Sequence, residues 1–149
     1  MIQPERILIG VDFSTDAKAL IKILNMLRIE SRCHITLAHA VPDLQSEIAV
    51  YLKDAEPARL QKAMEERAAA LFEKLVDKKL KLDNQWETVV GKGNSAEFIL
   101  NLAQRMKADL IIMGNSDAGK AAGSRFGSTA DKVVRNAPCP VLIVPLREI

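Results

Sequence analysis

Arg6-Ile7-Leu8-Ile9-Gly10-Val11-Asp12 is the stretch on which the fold turns. Its apolar residues are contiguous instead of recurring every third or fourth position, and Ile and Val dominate. A run this short cannot make a helix, so it predicts a strand buried on both faces. Strands of that kind belong to parallel sheets covered by helices on either side. The next segment should therefore be helical. Ser14 and Thr15 offer an N-cap, Asp16 lies in the first turn, and Leu20, Ile23, Leu24 and Leu27 repeat at helical spacing.

The alternation continues to the C-terminus. His34 to Val41 reads as a second strand stopped by Pro42. Pro57 fits the first turn of a long helix with Leu60, Met64, Ala68, Leu71 and Leu75 along one face. Lys62 with Glu66 and Asp77 with Lys81 stand at i, i+4 on its exterior. Trp86 to Gly91 is a shorter, more polar strand, as suits a sheet edge. Asn94 or Ser95 caps a helix carrying Phe98, Ile99, Leu102, Ala103 and Met106. Asp109 to Gly114 is a fourth strand, and small residues extend from Asn115 to Phe126. Ser128, with Asp131 three residues on, has capping-box spacing for a helix whose stripe is Ala130, Val133, Val134 and Ala137. Pro138 ends that helix, and Pro140 to Pro145 is a fifth strand. The order β-α-β-α-β-α-β-α-β implies one parallel sheet with right-handed crossovers and helices on both faces. Residues 1–149 read as a single domain. Ligands of such sheets bind beyond the carboxyl ends of the strands, where strand order reverses.

Composition agrees. The 149 residues are 48% apolar and 27% charged, with a net charge of +2, which argues against disorder. So small a charge does not point to a nucleic-acid or membrane partner. Aromatics are only 4%, so the core must be built from Ile, Leu, Val, Ala and Met. No run approaches the roughly 18 apolar residues needed to span a bilayer, and Met1 to Arg6 lacks the layout of a secretory signal. A cytoplasmic location is expected, and Cys33 and Cys139 read as reduced core thiols.

Three glycine patterns compete for a phosphate. Gly91-Lys92-Gly93-Asn94-Ser95-Ala96 fits G-x-G-x-x-A, but the next strand ends in Met113-Gly114 where a dinucleotide site needs an acid. An ordinary strand-to-helix turn is the better reading. Gly114 to Ala121 matches a P-loop, with Lys120 as its lysine, except that Ala121 replaces the magnesium-binding hydroxyl and Ala122-Gly123 continue a flexible stretch where a helix should start. The third is Gly114-x-x-Asp117, nine residues, then Gly127-Ser128-Thr129 at a helix start. There the unpaired N–H groups and the helix dipole make an anion site, and Gly127 admits a close approach.

The chain resembles a universal stress protein over nearly its whole length. Ile7 to Ser14, Ala38 to Pro42, Ala108 to Gly114 and above all Gly127 to Pro145 carry the resemblance. It implies a flavodoxin-like α/β sandwich, a five-stranded parallel sheet in the order 3-2-1-4-5, with helices on both faces. It further implies ATP, with or without Mg2+, bound through the third glycine pattern: Gly114 beside Met113, and Gly127, Ser128 and Thr129. By position, Asp12 and Val41 would meet the adenosine. Phe13 and Phe126 are the nearest rings for a base, and Arg125 and Lys120 the nearest cations for the phosphates. A homodimer joined through Val141 to Val144 is implied too, and that apolar run does little to blunt a sheet edge.

Asp117 departs from the family pattern, which has glycine there. A carboxylate about 4 Å from one phosphate charge would oppose it by roughly 4 kcal/mol at an effective dielectric of 20. Two other readings stay open: a nucleotide-free interaction protein, or a slow P-loop-type ATPase. Neither His34 nor His39 lies near a nucleophile, and no metal-ligand spacing occurs. Little or no hydrolysis is expected, and any regulatory protein partner is unnamed.

Overall fold

β1 (Arg6–Gly10) occupies the middle of the sheet, as its unbroken apolar run requires. A computed structural model describes residues 4–12, 25–27, 29, 32–44, 51, 56–79, 85–115 and 127–145. Around β1 lie β2 (His34–Val41), β3 (Gln85–Lys92), β4 (Leu110–Gly114) and β5 (Val141–Val144). The five strands are parallel in the order β3-β2-β1-β4-β5, as the sequence implied. Three helices are described: α1 (Glu56–Lys79), α2 (Ser95–Met106) and α3 (Ser128–Asn136). The helix expected after Ser14 falls mostly outside the described residues; only its end, at 25 and 26, is helical here, and Leu27 is exposed.

Two apolar layers cover the sheet. On one face Ile7, Ile9, Val11, Ile35, Leu37, Ile112 and Val144 meet Phe72 and Leu75 of α1. On the other, Leu8, Ala38, Ile111 and Met113 meet Ala96, Ile99 and Ala103 of α2 and Val133 of α3. Both layers are aliphatic, with Phe72 the only aromatic ring fully buried among the described residues.

Helix α1 is rotated from the expected face. Its buried residues are Pro57, Gln61, Ala68, Phe72 and Leu75, whereas Leu60 is 45% exposed and Met64 and Leu71 are half-buried. Phe72, the largest apolar side chain on the helix, sets the rotation. Leu60, Met64 and Leu71 then line a groove of about 360 Å³ beside His39, Val41 and Pro42. Lys62 and Glu66 approach to 4.0 Å, while Lys81 lies outside the described residues. Helix α2 begins as expected, Asn94 Oδ1 accepting from the Glu97 N–H at 3.0 Å.

Helix α3 begins differently. Gly127, not Ser128, is the capping residue, and as a glycine it contributes no side-chain cap. Ser128 is already its first helical residue, and Val134, expected in the buried stripe, is 43% exposed.

Candidate nucleotide-binding notch

The site is built from strand ends. Strand β1 stops at Gly10, opposite Ala38 of β2 and Met113 of β4. Strand β2 runs on to Val41, and β4 to Gly114. The neighbours of β1 thus outlast it on both sides and leave a notch floored by Val11 and Asp12. This is where strand order reverses, since β2 and β3 lie on one side of β1 and β4 and β5 on the other.

The ladder shows which peptides face the notch. In a strand, successive residues direct their backbone groups to opposite neighbours. The His34 N–H bonds Glu5 and the Ala38 carbonyl accepts from Val11 at 2.8 Å, so even-numbered residues of β2 turn toward β1. Val41 turns the other way: its carbonyl accepts the Gly93 N–H at 2.8 Å. Val41, named from position alone, therefore commits its backbone to β3, and its side chain is buried on the α1 face. Ala40, one residue earlier, directs its N–H and C=O into the notch. From the opposite side, Ile111 and Asn115 bond β5 through Pro140 and Val144, so Gly114, of the opposite phase, turns toward β1. The backbone groups of Ala40 and Gly114 thus converge on the space above Val11 and Asp12.

His39 steadies the floor. Its Nδ1 lies 2.7 Å from the Val11 carbonyl, and an acceptor-only oxygen fixes the proton on Nδ1. This contact ties the histidine ring to the backbone at the end of β1. Met113 is buried against Gly10, where an added Cβ would meet Met113 Cγ at 3.3 Å.

Gly127 completes the site from the far end of the β4–α3 connection. It is buried, with φ 76° and ψ 163°, a backbone conformation that L side chains rarely adopt. The first bond of α3 runs from the Asp131 N–H to the Gly127 carbonyl at 3.0 Å. Ser128, Thr129 and Ala130 precede that bond and present the amide end of the helix dipole. Asp131, the acid in this first turn, is paired with Arg135 at 2.9 Å. A right-handed crossover places this helix start at the carboxyl ends of β4 and β5. Asp12, Met113, Gly114, Gly127, Ser128 and Thr129 thus all belong to the carboxyl end of the sheet. Phe13, Asp117, Lys120, Arg125 and Phe126 lie outside the described residues.

The other candidates separate from this end. Asp109 accepts the N–H groups of Glu5 and Arg6 at 2.9 and 3.0 Å, at the opposite end of the sheet. Gly91 lies in register with Ala40, and a Cβ there would run into the Phe98 ring. Gly93, at φ 102°, makes the turn into α2. That pattern is a strand-to-helix turn. Cys33 is buried and donates its thiol to the Pro4 carbonyl at 2.8 Å; it and Cys139 are both free thiols. His34 lies 3.3 Å from Glu87 near the start of β2, and no group of metal-ligating side chains occurs among the described residues.

The sequence model of the Universal stress protein family matches residues 4–145. The chain belongs to this family. The Thermus aquaticus "Universal stress protein in QAH/OAS sulfhydrylase 3'region" is 36% identical over 145 residues, covering 93% of this chain and 96% of that protein. Among solved structures, hypothetical protein MJ0577 superposes with a TM-score of 0.81 at 22% identity, covering 99% of this chain and all of that one. A universal stress protein in complex with cAMP gives 0.63 at 20% identity over 98% of this chain and 100% of the other. The Arabidopsis thaliana protein At3g01520, with AMP bound, gives 0.64 at 18% identity over 97% and 93%. These likenesses establish the same doubly wound fold for this universal stress protein. No helix among its described residues is long and apolar enough to cross a membrane.

Proposed function

We propose that this universal stress protein is a cytoplasmic regulatory module that binds ATP in the notch above β1 and hydrolyses it little or not at all. The carrying observation is Gly127: buried, in a glycine conformation, and standing at the capping position of a helix with no side chain of its own. A side chain at that position would stand where an anion must approach the amides of Ser128 and Thr129. Those amides and the Ser128 and Thr129 hydroxyls would hold phosphate oxygens, with Arg125 adding charge. The Asp12 carboxylate is suited to accept from ribose hydroxyls. The backbone of Ala40 offers a donor and an acceptor to an adenine edge, taking the place expected of Val41. ATP supplies charge and shape to be read. The two solved structures named with cAMP and AMP support an adenine ligand.

Regulation of this kind requires a second surface. We assign homodimerisation to β5, whose outer side has no partner among the described residues. Val141 and Ile143 direct their backbone outward there, and Leu142 is 38% exposed. An isologous pairing of two such strands would close both edges.

The test is equilibrium dialysis with ATP, with and without Mg2+, together with mass and absorbance analysis of any nucleotide released on denaturation. Binding that survives Lys120→Ala and is lost in Ser128→Glu is expected. No binding at millimolar ATP would refute the proposal and favour the nucleotide-free interaction protein. Turnover abolished by Lys120→Ala would favour the P-loop reading.

A further inference from the structure

The opposite edge of the sheet is unlike β5. Strand β3 has eight residues against four, and its first four, Gln85 to Thr88, are exposed on both faces. The Gly93 N–H turns toward β2, so Gln85, Glu87, Val89 and Gly91 share that direction. Trp86, Thr88, Val90 and Lys92 therefore direct their N–H and C=O groups outward. Among the described residues nothing pairs with them. Tryptophan, threonine and valine are strong strand formers, so this edge is well suited to accept another strand.

A groove runs beside the edge. Helix α2 lies along β3 on one face, and between them is a concavity of about 520 Å³ lined by Lys92, Phe98, Asn101, Gln104 and Arg105. The Phe98 ring occupies the space beside Gly91 and gives the groove an apolar surface. From Asn94 to Arg105 the helix rises roughly 16 Å, the length of about five extended residues. Lys92 stands at one end and Arg105 at the other, both exposed and outside the ion pairs found among the described residues. The acid within the groove, Glu97, is met by Lys132 at 3.3 Å. Glu87, on the same sheet face, accepts from Thr36 at 3.2 Å and lies 3.3 Å from His34. Among the described residues the groove therefore carries two cations without partners, and each nearby acid has one.

We propose that the edge of β3 and the groove along α2 dock an extended, acidic peptide segment of a partner protein, which adds to the sheet as a sixth strand. Its backbone bonds the outward groups of Trp86, Thr88, Val90 and Lys92. Its carboxylates meet Lys92 and Arg105, while Asn101 and Gln104 supply amides between them. This surface lies on the side of the sheet opposite β5, so it remains open in a dimer closed through β5. A module that reports nucleotide occupancy needs such a free contact for its target.

The chain's single tryptophan provides the readout, since Trp86 lies on the docking edge and is 42% exposed. The probe is an acetylated, amidated heptapeptide alternating Glu and Val, titrated while Trp86 emission and backbone amide shifts are followed. The comparisons are its Lys–Val counterpart and a copy N-methylated at alternate residues. Saturable binding is expected, with a blue shift of emission and amide shifts confined to β3 and α2. It should weaken at least tenfold in Lys92→Glu/Arg105→Glu and in Thr88→Pro. Thr88→Pro removes an outward N–H that an edge strand spares, and thermal unfolding confirms that each variant folds. The N-methylated copy leaves the protein untouched and should not bind. Equal binding of the Lys–Val peptide or the N-methylated copy would overturn the proposal. So would absence of binding, or pairing of two copies through β3 detected by sedimentation.

Discussion

Gly127→Ala separates the backbone requirement at the start of α3 from the ligand contact made there. At φ 76° and ψ 163° the residue occupies a region essentially restricted to glycine. Adding a Cβ there stores about 1–3 kcal/mol of strain in the native state. In a domain of this size each kcal/mol lowers Tm by roughly 2–4 °C. A matched control is Ile35→Val, a fully buried position in the α1-facing layer, where trimming one methylene removes about 0.5–1.5 kcal/mol. The assay pairs calorimetric unfolding without nucleotide with isothermal titration by ATP. Both variants should melt lower. Only Gly127→Ala should bind ATP more weakly, by tenfold or more, or about 1.4 kcal/mol. If Gly127→Ala unfolds like the unaltered chain, the glycine conformation is not required. If it unfolds lower but binds ATP as Ile35→Val does, the phosphate site is not at α3.

Asp117→Gly should tighten ATP binding by about fivefold or more, because repulsion between a carboxylate and a phosphate about 4 Å apart ranges from about 1 kcal/mol in water to about 4 near a protein surface; an unchanged Kd would place that charge away from the ligand. Gln61 is 5% exposed, accepts the Leu44 N–H at 2.9 Å and donates to Glu65 at 3.3 Å. Gln61→Leu orphans that N–H and should lower stability in denaturant titration by about 1–3 kcal/mol, without altering ATP affinity. Burial first, and the nearby Asp109 charge second, push the Cys139 thiol pKa up. Its alkylation, monitored in a Cys33→Ala background, should therefore reach half-maximal rate above the ordinary thiol range. The raised pKa also means that the native state holds this proton more tightly than the unfolded chain. Its contribution to stability is full below the unfolded thiol pKa and declines as pH rises through that value toward the folded one. An alkylation midpoint at or below that of a free thiol would contradict the burial.

Contiguous apolar residues made the sheet legible. Arg6 to Asp12 and Asp109 to Gly114 allow only strands buried on both faces, and alternation with helices then restricts the connections to right-handed crossovers. Side-chain phase was harder to read. Leu60 and Leu71 fit a helical stripe as well as Phe72 does, and packing against β2 and β3, which involves residues far apart in sequence, decides which turns inward. Val41 shows a finer limit. Residue type marks the end of β2, but whether a peptide faces β1 or β3 depends on ladder register, and a shift of one residue exchanges Val41 for Ala40. Ser128 shows the same limit at a helix start. Its spacing to Asp131 suits a capping box, yet Gly127 adopts the capping position and Asp131 pairs with Arg135 instead.

Each surface assigned a role here acts through main-chain groups. Ala40, Gly114 and the start of α3 present peptide groups to the notch, Val141 and Ile143 present them at β5, and Trp86 to Lys92 present them at β3. The cause is a chain whose layers are aliphatic and whose described histidines and cysteines are structural or peripheral. A main-chain contact tolerates truncation of the side chain on the same residue but not a change of φ, of register or of hydrogen-bonding capacity, whereas the charges of Lys92 and Arg105 act beside it. Alanine scanning of Ser128, Thr129 and Val41 should thus reduce ATP affinity less than the single Gly127→Ala change. Thr88→Pro should reduce peptide binding more than Thr88→Ala, which keeps the same N–H. If the side-chain truncations prove the more damaging in both cases, recognition rests on side chains and the main-chain account fails at both surfaces.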